Sequence, residues 1–89
     1  MANHKSAIKK ARQDEVRRLR NRMYKTRFKT AAKKVEAALE EKNKDAAALA
    51  LKDAISVFDK IVSKGVIHKN TAARKKSRLS VKVKALLAA

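Results

Sequence analysis

The chain has no cysteine, no proline, one glycine and three aromatic residues in a length of 89. Without cysteine there is no disulfide and no thiolate metal site, and the fold needs no oxidising compartment. With no proline, and glycine only at position 65, almost nothing in the composition interrupts a helix. Tyr24, Phe28 and Phe58 are the whole aromatic supply, so the core must be thin. No apolar run approaches the roughly 18–20 residues of a membrane span, and no secretory signal has the required apolar segment. The expected compartment is the cytoplasm, and no membrane partner is expected. Acidic residues are the last scarcity: 8 Asp plus Glu stand against 25 Lys plus Arg, a net charge of +17.

What remains is Ala, Lys, Arg, Leu and Glu, a mixture that favours helix nearly everywhere. The length suits one domain, near the size where a single core is only just sufficient. Self-repulsion from the charge opposes a compact isolated chain unless a polyanion neutralises it. The charge is unevenly spread. Residues 1–34 hold 13 basic and 2 acidic side chains, residues 35–64 hold 5 and 6, and residues 65–89 hold 7 and none. A polyanion should meet the two ends, with the middle turned away.

Caps and apolar spacing predict an all-α chain: a three-helix bundle whose extended first helix projects beyond it. Ser6 is a candidate first N-cap, and the pattern runs unbroken to about Lys42. Asn43-Lys44-Asp45 is a turn signal, with Asn43 or Asp45 capping a helix over about 45–64. Gly65 falls at the glycine position that ends such a helix, and a third helix covers about 68–87. The expected core stripes are Tyr24, Phe28, Ala31, Ala32, Val35 and Leu39; then Ala47, Leu51, Ala54, Ile55, Phe58, Ile61 and Val62; then Ala72, Leu79, Val83 and Leu86. Lys76 interrupts the third. A first helix over 6–42 would be about 55 Å long and the second about 30 Å, so an antiparallel return reaches only to about residue 23. The first apolar stripe stops there too. The same arithmetic puts the start of the third helix beside Arg20, Arg22, Lys25, Arg27 and Lys29.

The third helix opens without an acidic residue, against the preference of helix electrostatics. Arg74 and Arg78 form a like-charge pair four residues apart, which costs a few tenths of a kcal/mol in a free helix. Both features make sense if phosphate oxygens occupy that end, held by backbone N–H groups with Lys69, Asn70, Thr71 and Arg74 closing around them. Ser77 and Arg78 lie on the same outer face with Lys75 on its flank, and His68 reads as a capping or phosphate-contacting residue. The arm supplies Lys9, Lys10, Arg12, Arg17, Arg18, Arg20 and Arg22. Lys25, Arg27 and Lys29 follow as further phosphate-contact candidates. A second apolar stripe, Ile8, Val16, Leu19 and Met23, suits nucleic-acid sugars, another protein or plain exposure. All three aromatics lie on core stripes, which argues against binding single strands by stacking and leaves recognition of backbone and shape. His4 and His68, far apart and without cysteine, make neither a metal site nor a catalytic triad, and one glycine cannot make a phosphate loop. No enzyme activity, metal or cofactor is expected.

The opening Met-Ala-Asn-His-Lys-Ser-Ala-Ile-Lys-Lys-Ala-Arg and residues 64–79, with Lys-Gly-Val-Ile-His-Lys-Asn-Thr-Ala-Ala-Arg at their head, closely resemble the bacterial small-subunit ribosomal protein number twenty family. The resemblance spans essentially the whole chain, with Ile8 standing where a basic or small residue is usual. It implies a three-helix bundle with an overlong first helix. It also implies direct binding to 16S ribosomal RNA early in small-subunit assembly, chiefly to the 5′ domain and to the long penultimate helix. The family's residues carry over as Lys5, Ser6, Lys9, Lys10 and Arg12, and as His68, Lys69, Asn70, Arg74 and Lys75. Few or no protein contacts and no homo-oligomer are expected. A histone-like DNA binder shares the charge but lacks a groove-reading helix and a dimer seam, and a membrane-surface peptide needs a bulkier apolar face.

Overall fold

The computed structural model describes residues 2–89, with side chains from Ser6 onward. The helices are α1 (Ala2–Glu40), α2 (Lys44–Ser63) and α3 (Lys69–Ala88), and no strand occurs among the described residues. α1 starts before Ser6, which lies inside the helix rather than capping it. Nothing between Ala2 and Ser6 breaks a helix, and serine in a helix costs only a fraction of a kcal/mol, about 0.5.

The first turn is made without glycine. Lys42 takes a left-handed conformation at φ 56°. Its N–H donates to Leu39 O at 3.1 Å, and the Asn43 N–H reaches Ala38 O at 3.2 Å. These are the paired bonds of a Schellman ending, which stop α1 at Glu40 rather than near Lys42. Asn43 then caps α2, its Oδ1 accepting the Ala46 N–H at 3.2 Å. α2 follows helix electrostatics, with Asp45 in its first turn and Lys60 in its last. It closes at Gly65, φ +74°, whose N–H donates to Val62 O at 2.9 Å.

The core is Phe28, Ala32, Val35 and Ala38 from α1, Ala47, Ala54, Phe58 and Ile61 from α2, and Ala72, Leu79 and Val83 from α3. Alanine recurs because it lets helices approach closely where bulky side chains are few. The Phe28 and Phe58 rings stack with centroids 4.2 Å apart, which fixes the antiparallel register of α1 and α2. The expected stripes are all represented, with Ala38 an addition; Tyr24, Ala31, Leu39, Leu51, Val62 and Leu86 pack half-buried against the core, while Ile55, also half-buried, stands outside it. Lys76, the charge in the α3 stripe, escapes the core by reaching Asp59 on α2 at 2.7 Å. α3 packs mainly on α2 and touches α1 over a smaller area.

This packing leaves the front of α1 alone. Every side chain from Ser6 to Arg20 is exposed, and the first half-buried one is Asn21. The molecule measures 68 × 21 × 14 Å, an elongation that the projecting helix creates.

Candidate nucleic-acid interface

At the start of α3, His68 takes extended backbone angles and its Nδ1 accepts the Asn70 N–H at 3.0 Å. An imidazole acting in this way carries its proton on Nε2, which points the ring's own donor elsewhere. The N–H groups of Lys69 and Thr71 have no acceptor within the helix, as is general for a first turn. No acidic side chain lies in that turn. α2 has its carboxylate at the equivalent place, so the contrast is internal to the molecule. Lys69, Asn70, Thr71, Arg74, Ser77 and Arg78 are all exposed around this end and the outer face of α3.

The α1 residues beside α3 differ in part from those expected. A groove of about 440 Å³ between the two helices is lined on α1 by Lys25, Phe28, Lys29, Ala32, Lys33 and Glu36, and across it by Ile67, Thr71 and Lys75. Lys25 and Lys29 are where the chain-length argument put them. Arg27 is not: it lines a separate groove between α1 and α2, together with Lys34, and its guanidinium lies 5.6 Å from the Tyr24 ring centre. Arg22 lines a shallow recess farther along α1, with Arg18, Asn21, Lys25, Thr26 and Lys29. Arg20 is exposed on the arm. Lys33 and Glu36 had no place in the sequence-derived set. Lys33 sits one more four-residue step along the Lys25–Lys29 face, which spacing could have found, and Glu36 follows three residues later on the same side. Lys75 is half-buried, its Nζ 3.7 Å from a Glu36 oxygen.

On the arm, Ser6, Lys9, Lys10, Arg12, Arg17 and Arg18 are exposed, while the Lys5 side chain lies outside the described residues. Arg18 is the one arm cation with a carboxylate partner among the described residues, Glu15 at 2.7 Å. Their hydrogen bond first, and the attraction between the charges second, hold the Glu15 carboxyl below its usual range and the guanidinium above its own. Ile8, Val16, Leu19 and Met23 are exposed along the same arm. Where the arm joins the bundle, the Asn21 Oδ1 is buried without a hydrogen-bond partner. Among the described residues no group of side chains could hold a metal ion, and no helix is long and apolar enough to cross a membrane.

Fold and surface together define a class: small, strongly basic, all-helical structural proteins with an overlong first helix. The comparison with known families makes this specific. The family model for ribosomal protein S20 matches residues 2–84, and the chain belongs to that family. It is 55% identical to the small ribosomal subunit protein bS20 of Desulfatibacillum aliphaticivorans, over 97% of this chain and 98% of that one. The bS20 of Syntrophobacter fumaroxidans is also 55% identical, over 97% of this chain and all of its own. The bS20 of Desulfotalea psychrophila is 53% identical over the full length of both. The chain is thus a structural protein of the small ribosomal subunit, located in the ribosome in the cytoplasm, and its family is not one of enzymes.

Proposed function

We propose that the chain binds 16S ribosomal RNA directly, by its phosphate backbone and shape, and so supports assembly of the small subunit. The observation that carries this reading is the start of α3. Of α2 and α3, the two helices that start inside the described residues, it is the one whose first turn has no carboxylate, and Lys25 and Lys29 stand across the groove from it. Phosphate oxygens there would meet the free N–H groups of the first turn and cations on both sides. Arg74 and Arg78 extend the same face, and the arm carries positive charge along the RNA beyond the bundle. Base reading plays a minor part, because phosphate contacts position a protein without specifying sequence. The chain acts as a monomer within the subunit, with few protein contacts, since two copies at +17 each repel. No catalytic role, metal or cofactor is proposed.

Footprinting on 16S ribosomal RNA tests the reading, comparing the wild type with an Arg74→Ala, Arg78→Ala double variant. The expected result is a footprint that loses one patch, next to α3, and keeps the part due to the arm. An unchanged footprint at equal affinity would remove α3 from the contact surface. Equal affinity for duplex DNA at moderate salt would favour a general polyanion binder instead.

A further inference from the structure

Phosphate contact accounts for the cations of the arm but not for the order of its apolar side chains. Val16, Leu19, Met23, Thr26 and Thr30 follow one another at steps of three, four, three and four residues, the alternation that packs one helix along another. The seam is about 21 Å long, or about four turns of α1. Val16, Leu19 and Met23 are 61%, 54% and 45% exposed, and none of them packs on the core. Thr26 and Thr30 donate their hydroxyls to the α1 backbone, to Arg22 O at 3.0 Å and Thr26 O at 2.9 Å, so the seam carries no unmet donor there. At its bundle end it enters the α1–α2 groove, where Thr26 and Thr30 face Ala46, Leu49 and Ala50. The floor of that groove is core, but Leu49 on its rim is 63% exposed. Four of the seven large apolar side chains left exposed among the described residues thus lie along one line. Arg20, Arg27 and Lys34 flank the seam on one edge at seven-residue intervals, with Arg22 on the other. Glu15 and Asp53 are the acidic exceptions, and Arg18 already holds Glu15.

We propose that this seam docks an acidic amphipathic helix of another protein while the chain is free of RNA. The flanks choose the occupant, because charges beside such a seam set which helix can pair with it. A second copy of this chain would bring cation against cation along the edges. A helix with bulky apolar side chains on its own seam and Asp or Glu on its flanks meets apolar with apolar and cation with carboxylate. Nucleic acid also meets the cations, but its backbone offers no apolar ridge at three- and four-residue steps. Docking leaves the start of α3 open, because α3 lies on the Lys25–Lys29 side of α1 while Arg27 and Lys34 line the other. It covers Arg20 and Arg22, so partner and RNA compete for the arm. The docked helix gives the arm the packing surface that it lacks alone and offsets part of the self-repulsion of the free chain.

The test titrates the full chain at moderate salt with a peptide of about three heptads, Leu at its seam positions and Glu on its flanks. A scrambled peptide of the same composition is the control, and NMR follows the methyl signals. The patterned peptide should shift Val16, Leu19, Met23 and Leu49 and bind roughly tenfold tighter than the scrambled one. Leu19→Gln combined with Met23→Gln should remove that advantage. Arg20→Glu with Arg27→Glu should weaken binding more than Lys82→Glu with Lys84→Glu, an equal change of charge on α3. All six side chains are exposed, so each variant should keep the bundle, which circular dichroism checks. Equal affinity of the two peptides, or equal losses from the two charge-reversed pairs, overturns the proposal by reducing the binding to net charge. So does a glutamine pair that weakens binding to 16S ribosomal RNA and leaves the peptide unaffected, because the seam then faces RNA. Loss of the peptide with RNA affinity retained supports the proposal.

Discussion

Two helix endings in this chain use the same left-handed conformation with different residues, and exchanging their residues gives opposed outcomes. Gly65 sits at φ +74°, and a Cβ built there meets no atom within 4 Å. Gly65→Ala therefore probes backbone conformation with no steric clash. The left-handed region costs an L residue about 1–2 kcal/mol. Restricting the unfolded chain returns about 0.4–1 kcal/mol, leaving a net loss of about 1 kcal/mol. Lys42 already carries that cost at φ 56°, is exposed, and has no ion-pair partner among the described residues. Lys42→Gly should gain about the same amount by the same arithmetic. For a domain of this size each change moves Tm by about 4–8 °C, in opposite directions. Circular dichroism at moderate salt, where self-repulsion is screened, measures both. If Gly65→Ala left Tm unchanged, or Lys42→Gly lowered it, the account of the two turns would be wrong.

Amide exchange in the free protein should separate arm from bundle: residues 6–20 exchange fast and residues 46–62 slowly, because the arm buries no side chain and a lone helix is marginal in water. Equal protection of the two would refute this. His68→Asp should keep the α3 cap and place a carboxylate at the helix start, stabilising the free protein by up to about 1 kcal/mol. The same change should weaken binding to 16S ribosomal RNA, and undiminished affinity would exclude phosphate from that end. The Glu15 carboxyl is lowered in the folded state, so its contribution is complete above the ordinary value of 4.5 and fades as pH falls through the lowered one. Helicity of the arm should accordingly drop slightly in acid, and Arg18→Ala should remove that part of the pH dependence.

The stripes around Phe28, Phe58 and Leu79 were legible because bulky apolar residues are few and spaced at helical periods. Gly65 and Asn43 were legible because each belongs to a residue type with a specific role at a helix end. Lys42 was not: a lysine carries no sign that it will adopt a glycine's conformation, and only the paired bonds to Leu39 and Ala38 reveal it. The α1 side of the interface was half legible. Helix lengths put the right stretch of α1 beside α3, but a three-helix bundle can turn either way. That choice decides whether α3 lies on the Lys25–Lys29 side or on the Arg27–Lys34 side, and it depends on packing details spread over three helices. Lys33 and Glu36 were missed for the same reason, being on the chosen side but a turn or two farther along. Lys76 read as a flaw in a stripe, because its partner Asp59 lies on another helix.

The salt dependence of binding tests the central claim most directly. With about 6–10 phosphate contacts, affinity for 16S ribosomal RNA should fall by roughly 10³–10⁵ between 50 and 200 mM salt, by analogy with duplex DNA. Replacing both Arg74 and Arg78 by alanine should make the slope of log affinity against log salt shallower by about 2, one for each lost phosphate contact. A double variant whose slope matches the wild type would show that the start of α3 meets no phosphate.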